Sequence, residues 1–193
     1  IRQTGYPDGG SLTNSLNALI ASDFVIKYVP FACGKREEHY KLVDPFCIFY
    51  LRFAENRDSM PDGFWQQNSD APPIISWRGY AFENVCFQHI PEIKQALGIS
   101  GISSRESAWT KTGEDDERGT QIDLLILRRD NVVNMCEMKF YSDEFTVDKE
   151  YDLLLRRRQA LVYEKLPRKN TIHNTLITTF GIKDNEYRWA FEN

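Results

Sequence analysis

The stretch "GTQIDLLILRRDNVVNMCEMKF", residues 119–140, reads as two apolar strands joined by a polar turn. Three charged residues interrupt those strands, namely Asp123, Glu137 and Lys139. If the turn is centred near Asp130, residues equally far from it face each other, which places Asp123 opposite Glu137. Side chains alternate across a strand, so Lys139 shares a face with Glu137 and, in this register, with Asp123. We therefore expect a cluster of charge on one face of the hairpin.

The remaining strand residues are apolar on both faces of this hairpin. The face opposite the charges is predicted to carry Ile122, Leu124, Ile126, Cys136, Met138 and Phe140. The charged face is extended as apolar surface by Leu125, Leu127, Val133 and Met135. Strands that are buried on both faces are typical of the centre of a sheet rather than its edge.

The opposed carboxylates of Asp123 and Glu137 need a compensating positive charge, because two carboxylates at close range cannot both stay ionised without one. Lys139 supplies one positive charge, and a divalent cation would supply more. Oxygen-only ligation favours Mg²⁺ or Mn²⁺. The alternative is a structural Asp–Lys or Glu–Lys pair, but buried pairs stabilise weakly and the third charge is then unexplained.

A fourth acidic residue, Glu83, lies in a predicted helix over residues 76–90. Its position is three residues from members of an apolar stripe on either side, so it projects from the same helix face. That stripe consists of Tyr80, Cys86, Phe87 and Ile90. A carboxylate on a buried face needs a partner, and a cation at the hairpin would be one. The alternative is that Glu83 reaches the rim of the stripe and solvent.

In residues 1–56, the sequence pattern predicts a helix over residues 9–24, two pairing strands at 24–31 and 39–44, and a further helix over 45–56. A helix followed by a two-stranded hairpin is typical of the back half of a winged helix-turn-helix. The usual first two helices are absent. This module is therefore predicted to be a partial winged helix.

A linker is predicted at residues 57–75, which are rich in Pro, Gly, Asp, Asn and Ser. The second domain is predicted over residues 76–193. Its predicted elements are helical structure over 76–99, a strand and a loop over 103–119, the hairpin, a helix over 148–166 and a strand over 174–182.

The composition is that of an ordinary soluble domain, with 193 residues, 41% hydrophobic and 27% charged. No apolar run approaches the roughly 20 residues that cross a bilayer, the first residues show no signal-peptide pattern, and the four cysteines form no CxxC pair. These features predict a cytoplasmic protein without a membrane partner. The net charge of −4 offers nucleic acid no general attraction, so contacts would depend on local patches such as Arg156 and Arg157.

The order of these elements and residues resembles the PD-(D/E)XK nuclease superfamily. Glu83 stands on a leading helix, Asp123 on a strand, and Glu137-Met138-Lys139 on the next strand, with a helix after it. The chain is also similar to the C-terminal region of a bacterial and archaeal group of P-loop ATPases, in which a winged helix precedes a nuclease-like domain. The stretches that carry this similarity include "GGSLTNSLNALIASDFVIKY", "HYKLVDPFCIFYLRF", "WRGYAFENVCFQHIPEIKQALGISG" and "LITTFG". One departure is Gln121-Ile122-Asp123, where the superfamily name implies a Pro before the Asp.

The resemblance implies a restriction-endonuclease-like α/β fold, with a mixed central sheet flanked by helices and preceded by the partial winged helix. It also implies that an ATPase domain precedes Ile1 in a longer chain, an expectation that fits a sequence beginning without Met. No GxxxxGK[ST] motif occurs here, so ATP binding is assigned to that other part. A homo-oligomer is left open.

The resemblance further implies a set of roles for the site. Asp123 and Glu137 would bind one or two Mg²⁺ or Mn²⁺ ions, and the carbonyl of Met138 and the carboxylate of Glu83 would complete the shell. Lys139 would orient the attacking water or stabilise the phosphate. The expected reaction is hydrolysis of phosphodiesters of nucleic acid, with DNA as the favoured substrate and RNA left open.

Two further sets of residues are candidates. Thr13, Asn14 and Asn17 occupy the exposed face of the first helix and could contact DNA, although interdomain packing explains that helix equally well. Gln159 and Tyr163 match a QxxxY element of some nucleases of this superfamily.

Two non-enzymatic interpretations stay open. The domain could keep a nuclease-like fold and serve the ATPase as a regulatory or partner-binding module. A simple transcription regulator would explain the first 45 residues and nothing after them.

Overall fold

The computed structural model describes residues 9–34, 36–55, 61–111 and 119–191. The first eight residues of the predicted winged helix, residues 57–60 of the predicted linker and residues 112–118 of the predicted loop lie outside the described residues. The helices are α1 (Gly10–Ala21), α2 (Pro45–Phe49), α3 (Phe64–Asn68), α4 (Pro72–Gln88), α5 (Ile90–Ala96) and α6 (Lys149–Tyr163), with a π-helical turn at Tyr50–Ala54 and a 3-10 turn at Arg188–Phe191. The strands are β1 (Val25–Tyr28), β2 (His39–Leu42), β3 (Ser104–Lys111), β4 (Thr120–Arg128), β5 (Val132–Lys139) and β6 (Thr171–Thr178).

The main sheet has four strands in the order β3-β4-β5-β6, antiparallel except for the parallel pair β5–β6. The predicted mixed sheet flanked by helices is therefore confirmed. The predicted register of the hairpin is also confirmed, since Leu124 pairs with Cys136 and Leu127 with Val133. Because β4 and β5 are the two inner strands, the expectation that both their faces are buried holds as well.

Strand β4 contains a bulge that the sequence pattern does not reveal. Against β3, Leu125 pairs with Ser107 but Ile122 pairs with Trp109, so β4 carries one extra residue between these two pairs. Ile122 consequently packs in the same core cluster as Leu125. Its predicted place on the opposite face was wrong, because the bulge shifts the alternation at Asp123.

The core consists of one cluster on each face of the sheet. The cluster on the α6 side includes Phe31, Trp109, Ile122, Leu125, Val133, Met135, Leu155, Val162 and Ile172. The cluster on the α4 and α5 side includes Cys86, Ile99, Leu124, Ile126, Cys136 and Met138. The four cysteines are unpaired, with Cys86 and Cys136 buried and the other two half-buried.

The N-terminal hairpin packs directly on the edge of the main sheet. Strands β1 and β2 pair antiparallel as predicted. The backbone N–H of Phe31 donates to the carbonyl of Ala108 at 2.9 Å, and the Ser107 hydroxyl donates to the carbonyl of Val29 at 2.8 Å. The rings of Phe31 and Trp109 meet edge to face at 5.9 Å between centroids. The hairpin is therefore an extension of the α6-side core.

Helix α4 differs from its predicted form in two respects. It begins at Pro72, and α3 also lies within residues 57–75, so part of the predicted linker is helical. The predicted buried stripe held Tyr80, which is instead 52% exposed. Pro91 stands in the first turn of α5, where its missing N–H needs no partner. Within the described residues, none of the helices has the length and apolar content needed to span a bilayer.

Candidate functional site

The inner strands separate where the predicted charges lie. The β4–β5 pairing ends at Leu124 and Cys136, while β5 and β6 stay paired as far as Lys139. Beyond that end, the backbone N–H of Met138 donates to Oδ2 of Asp123 at 3.3 Å. The Asp123 carboxylate thus takes the place of a ladder partner at the point where the two strands diverge.

Glu137 lies beside this point and its side chain is 1% exposed. Its Oε2 accepts a hydrogen bond from the Tyr151 hydroxyl at 2.8 Å and lies 3.6 Å from Nζ of Lys139. Its Oε1 is bound by the guanidinium of Arg158. Tyr151 and Arg158 both belong to α6, so Glu137 faces that helix.

Glu83 approaches from α4, on the other face of the sheet. Its side chain is 17% exposed and its Oε2 lies 3.7 Å from Nζ of Lys41, which comes from β2. Nζ of Lys41 also lies 4.4 Å from the centroid of the Phe87 ring. Glu83 and Asp123 line one cavity of about 140 Å³, whose walls also include Tyr28, Lys41, Thr110 and Gln121.

Burial is the main influence on the pKa of two carboxylates in the cluster. Burial raises the pKa of Asp123, and the charge of Glu137 raises it further, against the opposing effect of Lys139. Burial also raises the pKa of Glu83, followed by the charge of Asp123, with Lys41 acting in the opposite direction. Burial lowers the pKa of Lys41 despite its acidic neighbours. Asp123 is therefore electrostatically coupled to a carboxylate on each side.

The structure brings the four predicted site residues together only in part. Glu83 and Asp123 line one cavity. Asp123 and Lys139 both lie close to Glu137. Glu137 itself is turned toward α6 and its oxygens already have partners. Among the described residues, no group of three or more His, Cys, Asp or Glu side chains is placed to hold a metal ion.

Three contributors to the cluster were missed from the sequence, namely Lys41, Tyr151 and Arg158. Arg158 could have been found, because Tyr151, Leu155, Arg158 and Val162 follow the spacing of a single buried helix face. An arginine on such a face needs a buried acidic partner. Lys41 has no comparable signal in the sequence, because only the packing of the hairpin beside α4 brings it to Glu83.

The predicted nucleic-acid contacts lie on the surface. Thr13, Asn14 and Asn17 are exposed on α1. Arg156 and Arg157 are exposed on α6, where Arg156 pairs with Asp152 at 2.8 Å.

The remaining predicted residues make contacts inside the protein. Gln159 donates from Nε2 to Oδ1 of Asn174 at 3.1 Å. The Tyr163 hydroxyl accepts from the backbone N–H of Ile172 at 3.1 Å. Both contacts tie α6 to β6. For Met138 the contact to Asp123 is made by the N–H, on the strand edge that faces β4.

Comparisons with known proteins identify no relative of established function. No family model matches the chain, and no curated protein matches it. A crystal structure described as that of a protein of unknown function, AF1548, is similar with 14% sequence identity and a TM-score of 0.34, covering 51% of this chain. The chain spans 50% of the length of that protein. Any assignment of function therefore rests on the residues of the site.

Proposed function

We propose that this chain hydrolyses phosphodiester bonds of nucleic acid, most favourably DNA, with a divalent cation held near Asp123. One observation carries the proposal: two half-buried carboxylates, Asp123 and Glu83, face one small polar cavity where the central strands separate, and each has its pKa raised. Acids that repel each other in this way favour a cation between them.

The donor set fits Mg²⁺ or Mn²⁺ at this cavity. Asp123 and Glu83 offer carboxylate oxygens, which these ions prefer, and the carbonyl of Met138 is proposed as a further ligand. Glu137 contributes negative charge to the site, while Tyr151 and Arg158 occupy its oxygens. When bound, the ion lowers the pKa of the water that it coordinates and stabilises negative charge on the phosphate.

The lysines of the cluster have complementary roles in this proposal. Lys139 lies 3.6 Å from Glu137 and would orient the attacking water or stabilise the charge on the phosphate. Lys41 lines the cavity and pairs with Glu83 at 3.7 Å. Exclusion of bulk water by the buried strands strengthens each of these charge interactions.

The resemblance to the C-terminal region of P-loop ATPases supports a proposal for the parts of the protein around the site. In a longer chain, a P-loop ATPase domain would precede residue 1. The exposed Thr13, Asn14 and Asn17 of α1 would contact duplex DNA as part of a winged helix, and Arg156 and Arg157 would contact phosphates.

A second function, that of a non-catalytic regulatory or partner-binding module, is favoured by a different observation. Glu137 is bound by Arg158, Tyr151 and Lys139, and Glu83 is paired with Lys41. These ion pairs stabilise much of the cluster without a metal. The net charge of −4 also lacks the basic surface that binds phosphates strongly.

Cleavage assays separate the two functions. Plasmid and single-stranded DNA are incubated with the protein and Mg²⁺ or Mn²⁺, and Mn²⁺ binding is measured by calorimetry. We expect metal-dependent cleavage that is lost in Asp123→Ala and Lys139→Ala but retained in Asp70→Ala, a change at an exposed acid outside the cluster. Absence of cleavage with either metal, together with absence of Mn²⁺ binding, would support the regulatory module instead.

A further inference from the structure

We propose that an aromatic groove next to the candidate site binds unpaired bases of single-stranded nucleic acid by stacking. The groove has a volume of about 290 Å³ and is lined by Trp65, Trp77, Arg78, Phe82, Val85 and Phe140. Trp65 of α3 is 39% exposed and Phe140, just after β5, is 42% exposed. Exposed rings of this kind are the surface on which bases of a single strand stack, whatever their sequence.

The groove adjoins the residues proposed to act on the phosphodiester. Phe140 directly follows Lys139, and Phe82 directly precedes Glu83. The rings of Phe82 and Phe140 contact each other at 5.9 Å between centroids. Adjacent strand residues point to opposite faces, so Lys139 turns toward Glu137 and Tyr151 while Phe140 turns toward α4. A base stacked in the groove therefore lies on the α4 face of the sheet, the face from which Glu83 approaches.

A positive charge lies over the ring surface of the groove. Cζ of Arg78 lies 5.1 Å from the centroid of the Trp65 ring, a cation–π arrangement. The N–H groups of a guanidinium are donors suited to phosphate oxygens. This combination of ring faces and a cation matches a nucleotide, which brings both a planar base and a negative charge.

An unused hydrogen-bond donor is a second feature of the groove. The indole Nε1 of Trp77 is buried and has no hydrogen-bond partner among the described residues. A buried donor without an acceptor is costly. Nε1 is fully covered in this structure, so an acceptor on a base reaches it only where the surrounding side chains move apart.

The inference deepens the proposed function, on which it rests for the cleavage step, but binding is measurable without metal. Fluorescence anisotropy of a labelled oligothymidylate is recorded in EDTA, alongside an abasic strand of equal length. We expect the protein to bind the thymidylate strand more tightly than the abasic strand. Trp65→Ala and Phe140→Ala should each weaken binding of the thymidylate strand about tenfold.

Matched variants control for loss of folding and for unspecific aromatic contact. Trp189→Ala removes a tryptophan that is 69% exposed and does not line the groove, and it should bind like the parent. Arg78→Gln leaves the rings in place and should weaken binding while making it less sensitive to salt. Far-UV circular dichroism confirms that each variant is folded.

Equal affinity for the abasic strand, or equal loss in Trp189→Ala, would overturn the base-stacking site. So would a change of oligomeric state in Trp65→Ala, because the groove would then be an interface between copies of the chain. These outcomes are separate from the proposed function. Binding of the strand without any cleavage would support the base-stacking groove and contradict the proposed nuclease activity. Cleavage without the stacking effect would support the nuclease activity and contradict the groove.

Discussion

Asp123 and Glu83 make the folded protein sensitive to pH in a defined direction. Both carboxyl groups have a raised pKa in the folded state, chiefly because they are buried. A raised carboxyl pKa means that the folded state binds protons more tightly than the unfolded chain, whose value is roughly 4. Their contribution to stability is therefore fully present below that pH and is lost as the pH rises through the folded pKa.

The variant Asp123→Asn should accordingly raise the melting temperature at neutral pH in EDTA. The amide keeps an oxygen that can accept from the Met138 N–H, but it carries no charge to desolvate. Calorimetry from acid to neutral pH should show a smaller loss of stability than in the parent. Asp70→Asn, at an exposed position, is the control and should behave as the parent. A lower melting temperature in Asp123→Asn would mean that the carboxylate stabilises the fold.

Two neighbouring arginines should differ sharply in their effect on stability. Arg158 binds the buried Glu137, so Arg158→Met leaves a buried carboxylate without its main partner and should lower the free energy of unfolding by about 3–5 kcal/mol. Arg156 has a side chain that is 71% exposed, so Arg156→Met should change stability little. Urea denaturation measures both. Similar losses in the two variants would show that Glu137 does not depend on Arg158.

At the scale of residues, the sequence predicted which charged residues lie in the central strands better than it predicted the side chains that bind them. The register of the β4–β5 hairpin followed from the turn, because a tight turn fixes the two strands, but the pairing stops at Leu124 and Cys136, one residue short of Asp123 and Glu137. The binding of Glu137 by Arg158 was not inferred, although the spacing on α6 contained the signal. Arg156, Arg157 and Arg158 are consecutive, but successive helix residues point in different directions, so Arg158 binds Glu137 while Arg156 and Arg157 are exposed.

At the scale of elements, strand β4 marks the limit of pattern-based inference. Period-two alternation placed Leu125 and Val133 on the correct face. It failed at Ile122, because one extra residue in β4 reverses the alternation beyond it. The bulge depends on how β3 pairs with β4, and that pairing cannot be predicted from the sequence of either strand alone. The failure falls at the candidate site, where bulges commonly redirect a side chain.

The N-terminal end of α6 should support the site as well as the helix. Oδ1 of Asp148 accepts from the backbone N–H of Tyr151 at 2.7 Å, and the hydroxyl of Tyr151 binds Glu137. Asp148→Ala removes the cap and should lower the free energy of unfolding by about 1 kcal/mol. Asp148→Asn can still cap the helix and should recover most of that loss. Guanidinium denaturation distinguishes them, and equal losses would exclude capping as the cause.

At the scale of the whole molecule, the candidate site is assembled from both predicted domains. The N-terminal hairpin supplies Lys41, α4 supplies Glu83, and the central strands supply Asp123. The helices and strands of both predicted domains were predictable one by one, since each depends on a local sequence pattern. The contact between the two domains was not predictable, because contacts between distant segments depend on how complete surfaces fit together.

This assembly predicts that the hairpin and the main sheet unfold together. Phe31 is 4% exposed within the α6-side core, and its backbone bonds to Ala108 of β3. Phe31→Ala should lower the free energy of unfolding by about 3–5 kcal/mol, because it opens a cavity between hairpin and sheet. Far-UV circular dichroism and tryptophan fluorescence should still follow one coincident transition, as in a two-state domain. Separate transitions, or a loss confined to the first of them, would show that the hairpin is an independent module and that Lys41 reaches Glu83 only through a detachable contact.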